Sequence, residues 1–148
     1  MSHTERSSIA ITHYQDHHFN GVDSLWQEAF PNDPPHNRAE IAIPAKLAVQ
    51  PELFLVAEDA GNVVGTVMAG YDGHRGWLYS VAVRLSHRGT GVASEMISAA
   101  EIRLAALGCT KVNLQVRAEN EAVAHFYARL GYESEPRISM GKRLNPAA

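Results

Sequence analysis

Apolar residues recur along this chain at two spacings, and each spacing predicts a different kind of element. Phe19, Val22, Leu25, Trp26, Ala29 and Phe30 share one helical face, and Asp16 stands where a helix N-cap belongs. Residues 9–14 alternate weakly and predict a strand before that helix. The Pro31-Asn32-Asp33-Pro34-Pro35 cluster stops it, because proline lacks a donor and biases its predecessor toward extended conformations. A second helix is expected between Arg38 and Val49, kinked or split by Pro44. Residues 53–58 and 63–71 are β-rich runs around Asp59-Ala60-Gly61-Asn62, which predicts a hairpin. Residues 77–83 form a further strand, so the middle of the sheet reads as a meander.

Beyond Gly91 the period returns to helical. Val92, Met96, Ile97, Ala100, Leu104 and Leu107 predict the clearest helix of the chain, and Gly108 sits at its C-cap position. Residues 111–116 alternate as a strand, Asn120 caps a helix running to Leu130, and Gly131 ends it. A last β region is expected over Tyr132 and residues 138–144.

Composition narrows the class. A chain of 148 residues, 45% hydrophobic and 20% charged, suits one globular domain that buries roughly 70% of its unfolded surface. Thirteen Lys and Arg against sixteen Asp and Glu give a net charge of -3, so no broad positive field draws in nucleic acid. Any anion site must be local. The single Cys109 cannot form an internal disulfide and reads as a small buried residue at a strand start. Residues 1–8 are polar, read as a flexible lead-in with no secretory signal, and no run approaches the ~20 apolar residues that span a bilayer. No membrane partner and a cytoplasmic location are therefore expected.

The stretch that carries chemistry is a strand, a short loop, and Arg88-Gly89-Thr90-Gly91-Val92-Ala93 opening a long helix. Glycines let the loop turn tightly so that its N–H groups converge, and the helix dipole adds about half a positive charge there. A diphosphate fits such a place. The P-loop pattern is absent, and in the dinucleotide fingerprint Ser94 occupies the third glycine's place while five residues separate Val83 from Gly89. A lone Gly-x-Gly is more often a bare turn than a ligand site, so other features must decide.

They lie downstream, in Leu114-Gln115-Val116-Arg117-Ala118-Glu119-Asn120 and Phe126-Tyr127-Ala128-Arg129-Leu130-Gly131-Tyr132. With Val81-Ala82-Val83 and the loop at Arg88, these words resemble the GNAT superfamily of N-acetyltransferases, in family order and over nearly the whole chain. Leu53-Phe54-Leu55-Val56-Ala57-Glu58, Gly65-Thr66-Val67-Met68 and Gly70-Tyr71-Asp72-Gly73-His74-Arg75-Gly76 look closer still to a bacterial subgroup named after YpeA. The resemblance implies an α/β (α+β) fold: a central, mostly antiparallel mixed sheet of six or seven strands with about four helices, in one N-acetyltransferase domain. It implies acetyl-CoA as acetyl donor, an amine-bearing acceptor, and a homodimer as a family assembly.

Residue by residue, the resemblance gives Val81, Ala82 and Val83 to the pantetheine arm and Arg88, Gly89, Thr90, Gly91, Val92, Ala93 and Ser94 to the diphosphate. Asn120 touches the cofactor while also capping its helix, and Tyr127, two turns on, is the general acid that protonates the departing thiolate. A backbone N–H near Val81 is the oxyanion donor. Relatives that acetylate ribosomal-protein N-termini carry a glutamate base where this chain has Gln115, and an amide cannot take up a proton at neutral pH. Val123-Ala124 is a second departure, because the family usually places a small residue before a larger one. Substitute bases are Glu119, Asp72, His74 and Tyr79; Asp72 and His74 read alone as an Asp-Gly turn with a solvated histidine.

No metal is expected. His13 and His17 straddle a strand-helix boundary, and His17, His18 and His36 read as exposed loop or helix-start residues. The rival readings are a non-catalytic acyl-CoA-binding module and a nucleotide-binding α/β domain.

Overall fold

The computed structural model describes residues 9–144, and the flexible lead-in expected over 1–8 lies outside them. The chain forms two compact units, one up to Gln115 and one from Val116 onward.

The first unit contains β1 (Ile9–His13), α1 (Phe19–Ala29), α2 (Ala39–Leu47), β2 (Phe54–Asp59), β3 (Asn62–Tyr71), β4 (Gly76–Val83), α3 (Val92–Ala106) and β5 (Val112–Leu114). Its sheet runs β1-β2-β3-β4-β5. The first three pairings are antiparallel, and β4–β5 is parallel because α3 carries the chain back between them.

Both faces of the sheet are covered, which is why β3 is buried at every position from Val63 to Gly70. Gly65 and Thr66 are consecutive and so point to opposite faces. A Cβ at Gly65 would stand 2.6 Å from Met96 Cε of α3, so the missing side chain lets that helix close on the sheet. On the other face Trp26 of α1 bonds to Thr66, within a core of Val22, Leu25, Phe54, Val56, Met68 and Ala82. The pairing of β2 with β3 reaches Met68 at Phe54, and side chains take over beyond it. Lys46 Nζ donates to Ala69 O, while the Gln50 amide both accepts from Tyr71 N–H and donates to Tyr71 O, each at 2.9 Å. Burial pulls the Lys46 ammonium below its usual pKa, with Glu52 opposing.

In the second unit, α4 (Glu121–Arg129) begins where Asn120 Oδ1 accepts from Val123 N–H. It closes with Leu130 and Tyr132 N–H groups both donating to Tyr127 O, and Gly131 takes φ +98.

Three expectations are corrected. The sheet has five strands among the described residues, not six or seven. Residues 138–144 form no strand: their alternating apolar side chains meet no partner, and Ile138 and Met140 are each 90% exposed. Strand β5 spans three residues rather than six. Pro44 lies inside α2 without splitting it, since the carbonyl it leaves unbonded belongs to exposed Glu40 and can face water. No described helix is long and apolar enough to cross a membrane.

Candidate functional site

Strand β4 changes partner midway. Its pairing with β5 ends at Leu78, whereas its pairing with β3 continues to Val83. Between them the register shifts: Tyr79 faces Met68 and Ala82 faces Thr66, so Ser80 and Val81 together oppose Val67. This is a β-bulge, which bends the strand and increases its twist. Ser80 takes φ +52, a left-handed conformation that costs a non-glycine residue roughly 1–2 kcal/mol. Val81, the second bulge residue, and Ala82 and Val83 after it therefore lie on a stretch of β4 whose far edge has no pairing with β5.

The loop beyond this stretch delivers the chain to α3. Gly89 and Gly91 adopt φ +79 and +90, a region glycine enters without a Cβ penalty. The first α3 donor with an intrahelical acceptor is Glu95 N–H, bonded to Gly91 O at 3.1 Å, so those of Val92, Ala93 and Ser94 precede the ladder. No side chain caps the helix start. Val92 is itself core, 1% exposed, so its side chain is committed to packing and is no ligand group. Thr90 Oγ1 donates to His87 O, and Arg88 Nε donates to Val83 O at 3.3 Å, tying the loop back to the strand.

Residues 84–87 anchor the loop to the rest of this unit. The Arg84 guanidinium donates to Val63 O, Gly21 O and Ser24 Oγ and lies 3.5 Å from Glu28, whose other oxygen accepts from Leu85 N–H. His87 Nε2 is 2.7 Å from Asp59 Oδ2. Sequence reasoning missed these anchors, because each joins residues far apart in the chain with no shared motif. Arg84, Ser86 and His87 also border an open hollow of about 490 Å³ on the side of His17 and Asn62.

Asn120 and Tyr127 belong to the second unit, at the cap and on the body of α4. Tyr127 is 8% exposed and meets Phe126 and Tyr132 edge-on, with ring centroids 5.2 and 5.7 Å away. Burial pushes its phenol up to about 12. A phenol near 10 would have been better matched to a thiol near 8.5, so the environment widens the gap that general-acid work must cross.

The substitute bases differ in what their atoms already do. Asp72 Oδ1 accepts from Arg75 and His74 N–H at 2.7 and 2.8 Å, and those bonds hold the carboxyl below its usual range. Arg75 Nη1 is 2.9 Å from His74 Nε2. Desolvation, then the nearby Asp72, raises the Tyr79 phenol, which disfavours it as a proton acceptor. Glu119 and Gln115 are exposed.

His18 stands at a helix start as expected, but it corrects the expected exposure, being 1% exposed. With His17 and Glu58 it forms a cluster whose ligand-capable atoms lie within 4.8 Å. Gln15 N–H donates to His18 Nδ1 at 3.0 Å, so Nε2 carries the hydrogen directed at Glu58 Oε2, 2.8 Å away. That tautomer has no Nε2 lone pair to give a metal. Cys109 is half-buried rather than buried, its Sγ 3.3 Å from Lys111 O.

Residues 19–132 match the model of the Acetyltransferase (GNAT) family. A curated relative from Yersinia pestis (strain Pestoides F), named acetyltransferase, is 46% identical over 136 residues, covering 92% of this chain and 96% of its own. Among solved structures, Ard1 from Thermoplasma volcanium superposes with a TM-score of 0.76 at 23% identity, covering 84% of this chain and 82% of that one. The structure of AAC(6')-Iy in complex with the bisubstrate analog CoA-S-monomethyl-acetylneamine gives 0.75 at 20% identity, covering 93% and 99%. With the sheet, the helix start and these likenesses in agreement, the chain belongs to the GNAT family of acetyltransferases, enzymes of acyl transfer.

Proposed function

We propose that this chain is an N-acetyltransferase that moves the acetyl group of acetyl-CoA to a primary amine by direct attack. The observation that carries the reading is the α3 start, where the N–H groups of Val92, Ala93 and Ser94 precede the helical ladder, one loop beyond the strand-edge stretch at Val81, Ala82 and Val83. In this reading Arg88, Gly89, Thr90, Gly91, Val92, Ala93 and Ser94 hold the diphosphate, chiefly through main-chain donors. Val81, Ala82 and Val83 hold the pantetheine arm as a strand holds its neighbour. A β4 N–H near Val81 bonds the carbonyl oxygen as negative charge develops on it, and a fixed peptide dipole does so without reorganising. The co-crystallised CoA analog of AAC(6')-Iy supports the ligand class.

In the same proposal Asn120 is a cofactor contact, as the resemblance of its sequence word implies, and Tyr127 is the general acid. At about 12 its phenol stays protonated throughout the neutral range, so a proton is always present to give. Transfer to a thiolate of ordinary basicity is uphill by roughly 5 kcal/mol, so the role requires the leaving sulfur to be desolvated as well. Gln115 removes the family's carboxylate base. An α-amine, with a pKa near 8, is already partly neutral at pH 7, whereas a lysine amine near 10.4 is not. The reading therefore favours acceptors with weakly basic amines, whether peptide, protein or small molecule. Thiol release from acetyl-CoA across peptides, polyamines and small amines tests it: release with at least one amine class is expected, and none with any would refute the proposed reaction.

A further inference from the structure

A buried polar relay ties α1 to the bend in β4. Trp26 Nε1–H donates to Thr66 Oγ1, and that hydroxyl donates to Ser80 O, both over 2.9 Å. Thr66 is fully buried and Trp26 is 4% exposed, so water cannot replace the bond between them, and the second bond ends on the half-buried Ser80. Ser80 is the left-handed residue of the bulge. Its alternative is ordinary extended backbone, which would relieve the strain and let β4 pair one-to-one with β3. That change slips the strand by one residue. Successive N–H groups of a strand point to opposite edges, so the slip would exchange the β4 donors on the open side for those turned toward β3.

We infer that Thr66 is a positioning residue for acyl transfer: its hydroxyl, oriented by Trp26, locks the Ser80 bulge and so sets which main-chain N–H groups beyond it face the acyl carbonyl. A hydroxyl is suited to this because it accepts one bond and donates another at the same atom. Valine matches threonine in shape and does neither, whereas serine does both. The inference rests on the proposed use of the β4 edge for the thioester.

The test compares wild type, Thr66→Val and Thr66→Ser with acetyl-CoA carrying 13C at the carbonyl, read by NMR, alongside calorimetry with CoA. Bound to wild type and Thr66→Ser, the carbonyl resonance moves downfield, as expected of an oxygen accepting an N–H. In Thr66→Val it returns toward the free position while CoA still binds through the untouched α3 start, more weakly than to wild type because the slip also shifts the Val81 to Val83 donors of the pantetheine arm. A merely structural role would lower the melting temperature and leave the carbonyl shift alone. Trp26→Phe removes only the indole donor and serves where Thr66→Val does not fold, with a shift smaller than wild type expected. A wild-type shift in Thr66→Val, or in Trp26→Phe where the valine variant does not fold, overturns the inference, as does a serine variant as perturbed as valine. An absent shift in wild type itself, with CoA bound, would instead refute the β4-edge reading, and the role of Thr66 with it.

Discussion

Replacing Gly89 by alanine separates the cost of backbone strain from the cost of lost binding. Gly89 holds φ +79, and a Cβ there would meet no atom within 4 Å, so the perturbation is conformational and not steric. Alanine in that region is strained by roughly 1–2 kcal/mol. An exposed loop can escape such strain by moving, but the N–H groups then leave the arrangement that a diphosphate needs. Strain avoided in the free protein therefore reappears as lost affinity, up to about 5- to 30-fold weaker CoA binding.

Gly61 supplies the control. It has φ +85, also with open space around a Cβ, but sits in the two-residue turn between β2 and β3 beside Ala60 at φ +52. Strand pairing on both sides fixes that turn. Gly61→Ala should keep full CoA affinity and lose about 2–8 °C of melting temperature, from the same strain at about 2–4 °C per kcal/mol. Calorimetry with CoA and thermal unfolding of both variants read the two quantities. Equal CoA affinity in Gly89→Ala, Gly61→Ala and wild type would refute the reasoning.

Tyr127→Phe should slow thiol release by on the order of 10²-fold or more while leaving CoA affinity unchanged, as loss of a general acid does; unaltered turnover removes the assignment. The same variant has a pH signature. Because the folded phenol titrates at about 12 and the unfolded one near 10, stability is full below pH 10 and is lost as pH rises toward 12. About 3 kcal/mol of alkaline destabilisation should thus be missing from Tyr127→Phe in denaturant titrations between those pH values. Gln50→Leu should destabilise by about 2 kcal/mol, since it strips both partners from the Tyr71 main chain; unchanged unfolding would show that water takes their place. Zinc or a chelator should leave the melting temperature unmoved, given the His18 tautomer, and a rise with zinc would contradict that assignment.

Local chemistry made much of this protein legible in its sequence. The α1 and α3 faces follow from helical spacing, the β2–β3 turn from Ala60-Gly61, and the α4 start from Asn120. The left-handed turns at Gly89 and Gly91 before α3 were readable from the glycines, whereas the reading of that turn as a diphosphate site came only from the downstream words that resemble the family. What stayed hidden depends on distant partners. Nothing around Ser80 marks a left-handed serine, since its conformation is fixed by Thr66 and Trp26 from other elements. His18 looks like half of an exposed pair until Glu58, forty residues on, takes its hydrogen. Residues 138–144 carry strand-like alternation, but pairing and not pattern makes a strand, and they are not among the paired strands of the described sheet. The base is unreadable for the same reason: its loss at Gln115 is a local fact, whereas a substitute must be placed by tertiary structure.

Backbone 15N amide resonances followed during titration with CoA test the central claim most directly. The amides of Gly89 to Ser94, with those of Val81 to Val83, should move together and saturably, ahead of any others in the first unit. Saturable binding that leaves those amides still, or moves instead the residues around His17, Asn62 and His87, would contradict it.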